Sequence, residues 1–258
     1  MTDKLHLDEP AEGVARLTIS NPERSGALDH EILDALGEHA RTLDARCLVI
    51  RGSGKVFSAG YDIGKLSEQE FEESAEKLVA HPFQDAIEAL EEYRYPVVAE
   101  INGHAIGGGL ELALTCDIRV AASRAKMGMP PAKLGLIYSH TGLAKFIDVC
   151  GPANTAELFF VGRNVDAERA REMGLVNEVV DPGELGKRVL DLASEIASNA
   201  PLSLAGNKRM IRTLRSLRLP EELERELVEL RESCFASDDF REGVEAFAQK
   251  RKPVWRGR

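Results

Sequence analysis

The sequence predicts an α/β fold that ends in a helical C-terminal part. Three features point there. Short apolar runs suited to strands alternate with amphipathic stretches through the first two-thirds of the chain. After about residue 182 only helical periodicity remains. A length of 258 residues, 43% hydrophobic and 29% charged, suits one large folded core with an appendage better than two equal domains.

Taken in order, Val14–Ile19 alternates apolar and polar residues as a half-exposed strand does, and Asn21-Pro22 stops it. Residues 29–43 place Ile32, Leu33, Leu36, Ala40 and Leu43 on one helical stripe, with Asp29 as N-cap. Residues 47–50 are all apolar, the pattern of a strand buried on both faces, and residues 96–101 and 118–121 read the same way. Between those two runs a glycine-started apolar helix covers residues 108–116. Residues 68–95 are charged and helical in pattern, with Pro82 dividing them into two pieces. Helices follow over residues 185–197, 202–214 and 221–236, then a basic tail over 240–258. A boundary near Ser198 separates a core of residues 1–197 from a helical region of residues 198–258.

Lys and Arg number 33 against 43 Asp and Glu, a net charge of −10. That sign argues against nucleic acid or an anionic membrane as partner, because neutralising phosphates needs surplus cations. It leaves room for one small anionic ligand held by local cations and backbone N–H groups. Cys47, Cys116, Cys150 and Cys234 are far apart and form no metal-binding cluster, so no metal is expected and the thiols read as reduced. The opening MTDKLHLDEP has no apolar segment of a secretory signal, and no apolar run approaches the roughly 20 residues that cross a bilayer. A cytoplasmic protein is the expectation.

Two glycine segments could carry chemistry. Phe57-Ser58-Ala59-Gly60-Tyr61-Asp62-Ile63 follows a strand-like run, and its small residues suit a tight turn with N–H groups facing a ligand. Taken alone, it reads as an ordinary turn. In Asn102-Gly103-His104-Ala105-Ile106-Gly107-Gly108-Gly109-Leu110-Glu111, three consecutive glycines open an apolar helix and expose unpaired N–H groups at its positive end. No Lys-Ser/Thr pair follows, so this is not a nucleotide-triphosphate loop. Glu111 falls in the first turn, as a capping carboxylate or a catalytic one. Donors for a developing negative charge beside one carboxylate make a proton-transfer site.

SAGYDI followed by INGHAIGGGLELALTCDIRVA resembles the crotonase (enoyl-CoA hydratase/isomerase) superfamily. NPERSGAL, AKMGMPPAKLGL, GRNVDAERAREMGLVNEVV and EGVEAFAQKRKPVW continue the resemblance in fixed order over nearly the whole chain. The resemblance implies a spiral of ββα turns with a helical C-terminal region that packs into trimers, often paired as hexamers. It implies an acyl-CoA substrate, with coenzyme A carried by the substrate and no separate cofactor. The N–H groups of Tyr61 and Gly108 then form an oxyanion hole for a thioester carbonyl. Arg24, Ala27, Ala59, Asp62 and Ile63 fall where the family holds the adenine and phosphate-bearing part of coenzyme A. Phe247 and Lys250 match tail positions that reach coenzyme A, often on a neighbouring subunit, and residues 240–255 are expected near another subunit's site.

Departures from the family pattern bear on the reaction. Hydratases use two glutamates; Glu111 matches the first, and Pro131 stands where the second is expected. Proline moves no proton. Tyr138 in the next loop makes the segment similar to the methylmalonyl-CoA decarboxylase branch, in which such a tyrosine helps to place the departing carboxylate. His140, two residues on, is a structural residue or a proton shuttle. The expectation is therefore a lyase forming an oxyanion-stabilised enolate, with decarboxylation of a methylmalonyl-CoA-like substrate ahead. A hydratase or isomerase relying on Glu111 is the alternative. A non-catalytic acyl-CoA-binding trimer comes third, because a scaffold has no use for Glu111 and both glycine segments.

Overall fold

The computed structural model describes residues 2–61, 81–215, 221–254 and 256. Its centre is a six-stranded sheet. Strands β1 (Leu5–Ala11), β2 (Val14–Ile19), β3 (Cys47–Gly52), β5 (Val97–Ile101), β7 (Ile118–Ala122) and β10 (Glu178–Val180) lie in the order β1-β2-β3-β5-β7-β10. Only the β1–β2 hairpin is antiparallel; the other pairings are parallel. A second sheet of very short strands, β4 (Val56–Ser58), β6 (His104–Ile106), β8 (Lys126–Gly128) and β9 (Val165–Asp166), runs in that order. The chain visits the two sheets alternately as β3, β4, then β5, β6, then β7, β8, with helices between the visits. This is the α/β spiral that the sequence leads one to expect.

The all-apolar strands are buried on both faces, as their composition requires. Leu48 and Ile50 of β3 face one core with Leu17, Ile19, Ala99 and Ile101, while Cys47 and Val49 face a second with Val14, Val98 and Val120. Helices α1 (His30–Thr42), α2 (His81–Glu92) and α3 (Gly108–Thr115) contribute to the first core, and α6 (Leu185–Ser198) covers the second through Leu185, Val189, Ala193 and Ile196. Asp29 caps α1 by accepting from Ile32 N–H at 3.1 Å. Pro82 falls in α2, whose described part begins at His81. Residues 68–80 of the charged segment lie outside the described residues. Between α3 and α6 come α4 (His140–Ala156) and α5 (Ala167–Glu172).

Among the described residues three helices follow α6: α7 (Pro201–Arg215), α8 (Glu221–Phe235) and α9 (Asp238–Ala248). No residue of α7 is buried, and Leu202, Met210, Ile211 and Leu214 are 59–83% exposed. What reads as a basic tail from residue 240 is helical through Ala248, with Ser237 capping α9 by accepting from Phe240 N–H. The helix packs on the short 3-10 turn Pro131–Leu134, where Gly243 lets the Leu134 carbonyl approach closely. Among the described residues no helix is long and apolar enough to cross a membrane, and no cluster of side chains could hold a metal ion.

Candidate active site

The two glycine segments meet. Leu28 N–H donates to Gly60 O at 2.7 Å and Ala59 N–H to Ser25 O at 3.1 Å, so the loop 21–28 lies against the turn that ends β4. Gly60 takes a φ of +89, and a Cβ there would sit 2.7 Å from Ile106 O and 3.1 Å from Gly108 N. Only glycine allows both the conformation and the approach. The residue after it, Tyr61, is thereby brought beside the start of α3.

Gly107 precedes α3 with φ 56 and ψ −127, a backbone that side chains disfavour. Its N–H donates to Gly128 O at 2.9 Å, and Leu110 N–H and Glu111 N–H both donate to Gly107 O. Gly108 and Gly109 keep the remaining N–H groups of the first turn, which find no acceptor among the described residues. They lie at the positive end of the helix dipole, where an anion or developing oxyanion is favoured.

Glu111 is only 2% exposed, in a helix whose every residue is buried. Tyr138 Oη donates to Glu111 Oε2 at 2.5 Å. A buried carboxyl group needs such a partner. The Tyr138 ring meets Phe159 edge-to-face at 5.5 Å, and Phe159 in turn meets Phe146 at 5.1 Å. Phe159 owes its position to a one-turn π-helix, Glu157–Val161, following a break in α4 at Gly151 and Pro152. Pro131 is buried at the head of its 3-10 turn and presents no titratable group.

The other predicted residues divide into those gathered at the site and those elsewhere. Arg24, exposed, and Ala27, buried, lie in the loop docked against Ala59, and Ala27 N–H donates to Arg24 O at 3.0 Å. Asp62 and Ile63 lie outside the described residues, as does Trp255. His140 opens α4, and its Nε2 lies 3.6 Å from Glu224 Oε1 on α8. Phe247, 66% exposed, is near the end of α9, while Lys250 beyond it adopts φ 54 and closes the helix through Arg251 N–H to Ala246 O.

Ser58 and Asn21 are structural members of the site that their sequence context leaves unremarked. Fully buried Ser58 Oγ donates to Gly26 O at 2.8 Å and accepts from Gly60 N–H at 3.1 Å, tying loop to turn. Asn21 shapes the same loop, accepting at its carbonyl from Arg24 and Gly26 N–H and donating from its amide to Ala27 O. A hydroxyl within SAG and an Asn before Pro are the only signals either gives in sequence.

With this geometry in hand, comparison with known proteins is informative. A family model described as enoyl-CoA hydratase/isomerase matches residues 9–258. A probable enoyl-CoA hydratase from Bacillus subtilis is 34% identical over 249 residues, 95% of each chain. A carnitinyl-CoA dehydratase from Salmonella typhi is 33% identical over 266 residues, 100% of each chain. Among solved structures, methylmalonyl-CoA decarboxylase in complex with 2-nitronate-propionyl-CoA aligns at a TM-score of 0.89 with 27% identity, covering 100% of both chains. DspI from Pseudomonas aeruginosa aligns at 0.77 with 36% identity, over 99% of this chain and 97% of that one.

Proposed function

The chain belongs to the enoyl-CoA hydratase/isomerase family, the crotonase superfamily of acyl-CoA-processing enzymes, and from that premise we propose that it is a lyase acting through an oxyanion-stabilised enolate. The thioester carbonyl lies between Tyr61 N–H and Gly108 N–H. Loss of one such donor typically costs about 3 kcal/mol of transition-state stabilisation. Coenzyme A arrives as part of the substrate, against the loop carrying Arg24 and Ala27 and the turn carrying Ala59.

The preferred reaction is decarboxylation of a methylmalonyl-CoA-like thioester, and the observation that carries it is the Tyr138–Glu111 hydrogen bond, with a buried proline at the position expected for a second glutamate. Hydration requires water to be activated and the α-carbon to be protonated, two transfers usually divided between two carboxylates. Decarboxylation needs the departing carboxylate held out of the thioester plane, then one proton. With Glu111 protonated and donating to the phenol oxygen, the single Tyr138 proton is free to hydrogen-bond the carboxylate for the first task, and the Glu111 proton supports the second. The likeness to methylmalonyl-CoA decarboxylase over the full chain supports this reading. Hydration with Glu111 as principal acid–base group is the second reading, favoured by the hydratase and dehydratase names of relatives at 33–34% identity.

The subunits assemble as a trimer or hexamer through residues 198–258, which bring Phe247 and Lys250 to a neighbour's coenzyme A. The apolar face that α7 leaves exposed supports this. The test of the reaction is a panel of methylmalonyl-CoA, malonyl-CoA and crotonyl-CoA, following CO2 release and loss of enoyl absorbance. CO2 release from a malonyl-type thioester is expected. Rapid hydration of crotonyl-CoA with no CO2 from methylmalonyl-CoA would replace the first reading by the second.

A further inference from the structure

We infer that the side chain of Tyr61, as distinct from its backbone N–H, sets which substituents the substrate can carry on its α-carbon. The inference rests on the proposed binding of a thioester carbonyl at Gly108 N–H. A Cβ added to Gly108 would meet Cε2, Cζ and Cδ2 of the Tyr61 ring at 2.9, 3.1 and 3.2 Å. The ring therefore occupies the place a side chain at 108 would take. Helix positions three apart share a face, so the ring stands on the face of α3 that carries Glu111. Helical side chains slant towards the N-terminus, which leans the Glu111 carboxylate back towards that same spot. A group whose oxygen is held at Gly108 N–H and whose next carbon approaches Glu111 must pass along the ring. In a thioester that carbon is the α-carbon.

The wall is rigid. Phe83, only 3% exposed, holds the Tyr61 ring edge-to-face at 4.8 Å and 71°, and the core packs behind both. A fixed aromatic edge next to the reacting carbon admits a methyl, as in a methylmalonyl-type thioester, and resists an ethyl or longer substituent, because close-packed surroundings yield little to an extra carbon. Truncation of the side chain leaves the backbone donor in place, so selectivity and carbonyl binding can be separated.

The experiment measures binding of isobutyryl-CoA and of 2-ethylbutyryl-CoA, whose α-substituents are each one carbon longer, by calorimetry, to the wild type, Tyr61→Ala and Tyr61→Phe. Wild type is expected to favour isobutyryl-CoA. Tyr61→Ala should shift the affinity ratio towards 2-ethylbutyryl-CoA by at least about tenfold, while Tyr61→Phe, which keeps the ring, should hold it within about twofold. Tyr61→Leu takes the place of the alanine variant if that protein does not fold, with the same direction of shift. A ratio unmoved by truncation, or moved as much by Tyr61→Phe, overturns the inference and leaves the proposed function standing. A wild type that binds neither thioester overturns both.

Discussion

The two ends of α3, one short helix apart, are finished in opposite ways. At the C-terminal end, each buried polar group has a partner within the protein. Lys145 bonds Glu91 and, at 3.2 Å, Thr115 Oγ1; Arg119 donates to the carbonyls of Cys116 and Leu175; Lys208 pairs with Asp117 at 2.9 Å. At the N-terminal end, Gly108 and Gly109 N–H find no acceptor among the described residues, and a buried carboxylate is held by a phenol from a loop. Burying donors without partners costs stability, so a fold keeps them only where a ligand completes them. The contrast supports the proposal that the N-terminal end serves a ligand, and it does so without reference to any relative.

Substitutions at the two ends should therefore fail differently. Gly108→Pro and Gly108→Ala add the same Cβ beside the Tyr61 ring, but only proline removes the N–H, and proline is tolerated at the first position of a helix. Turnover of the proline variant should fall about 100-fold or more below that of the alanine variant, with similar melting temperatures. Equal rates would remove Gly108 from the oxyanion hole. Tyr138→Phe deletes the bond to Glu111 while keeping the ring on Phe159, and is expected to lower CO2 release from a malonyl-type thioester about tenfold, roughly 1.4 kcal/mol. Undiminished release would leave Tyr138 a packing residue.

At the structural end the order reverses. Lys145→Met should lower stability to denaturant by about 2 kcal/mol, the scale of a hydrogen bond to a charged group, while kcat per folded subunit stays within about twofold. A lost kcat with unchanged stability would extend the functional region across the whole helix. The smallest effect concerns Cys116, whose thiol burial pushes up to about 12. Thiolate is the reactive form, so Cys116 in the native protein should resist a thiol reagent at pH 8 and react on unfolding, as located by peptide mapping. Native-state labelling would show that this end opens.

How much of this was legible beforehand follows element length and chemistry. The strands β2, β3, β5 and β7 and the helix α1 announce themselves because five or more residues repeat one burial pattern. The strands β6, β8 and β9 span two or three residues, too few for a period, and their pairing is set by the turns around them. The strand β1 gives no strand signal in sequence because Asp8, Glu9 and Pro10 look like a loop; as an edge strand it can expose acids and tolerate proline. Within the site, Gly108, Glu111 and Tyr138 are visible as motif residues, yet their meeting across 27 positions is not a property of any window of sequence. The π-turn that brings Phe159 against Tyr138 is likewise tertiary: ELFFV reads as ordinary apolar helix.

The N-terminal end of α3 is proposed to polarise a thioester carbonyl. Isotope-edited infrared spectroscopy of carbonyl-labelled propionyl-CoA measures this directly, because hydrogen bonds from two preorganised N–H groups weaken the C=O bond. A bound carbonyl band clearly below its frequency in water is expected, shifted back further in Gly108→Pro, which loses the N–H, than in Gly108→Ala, which keeps it. A bound band at the aqueous frequency in the wild type, or one that Gly108→Pro leaves where it was, would contradict that proposal.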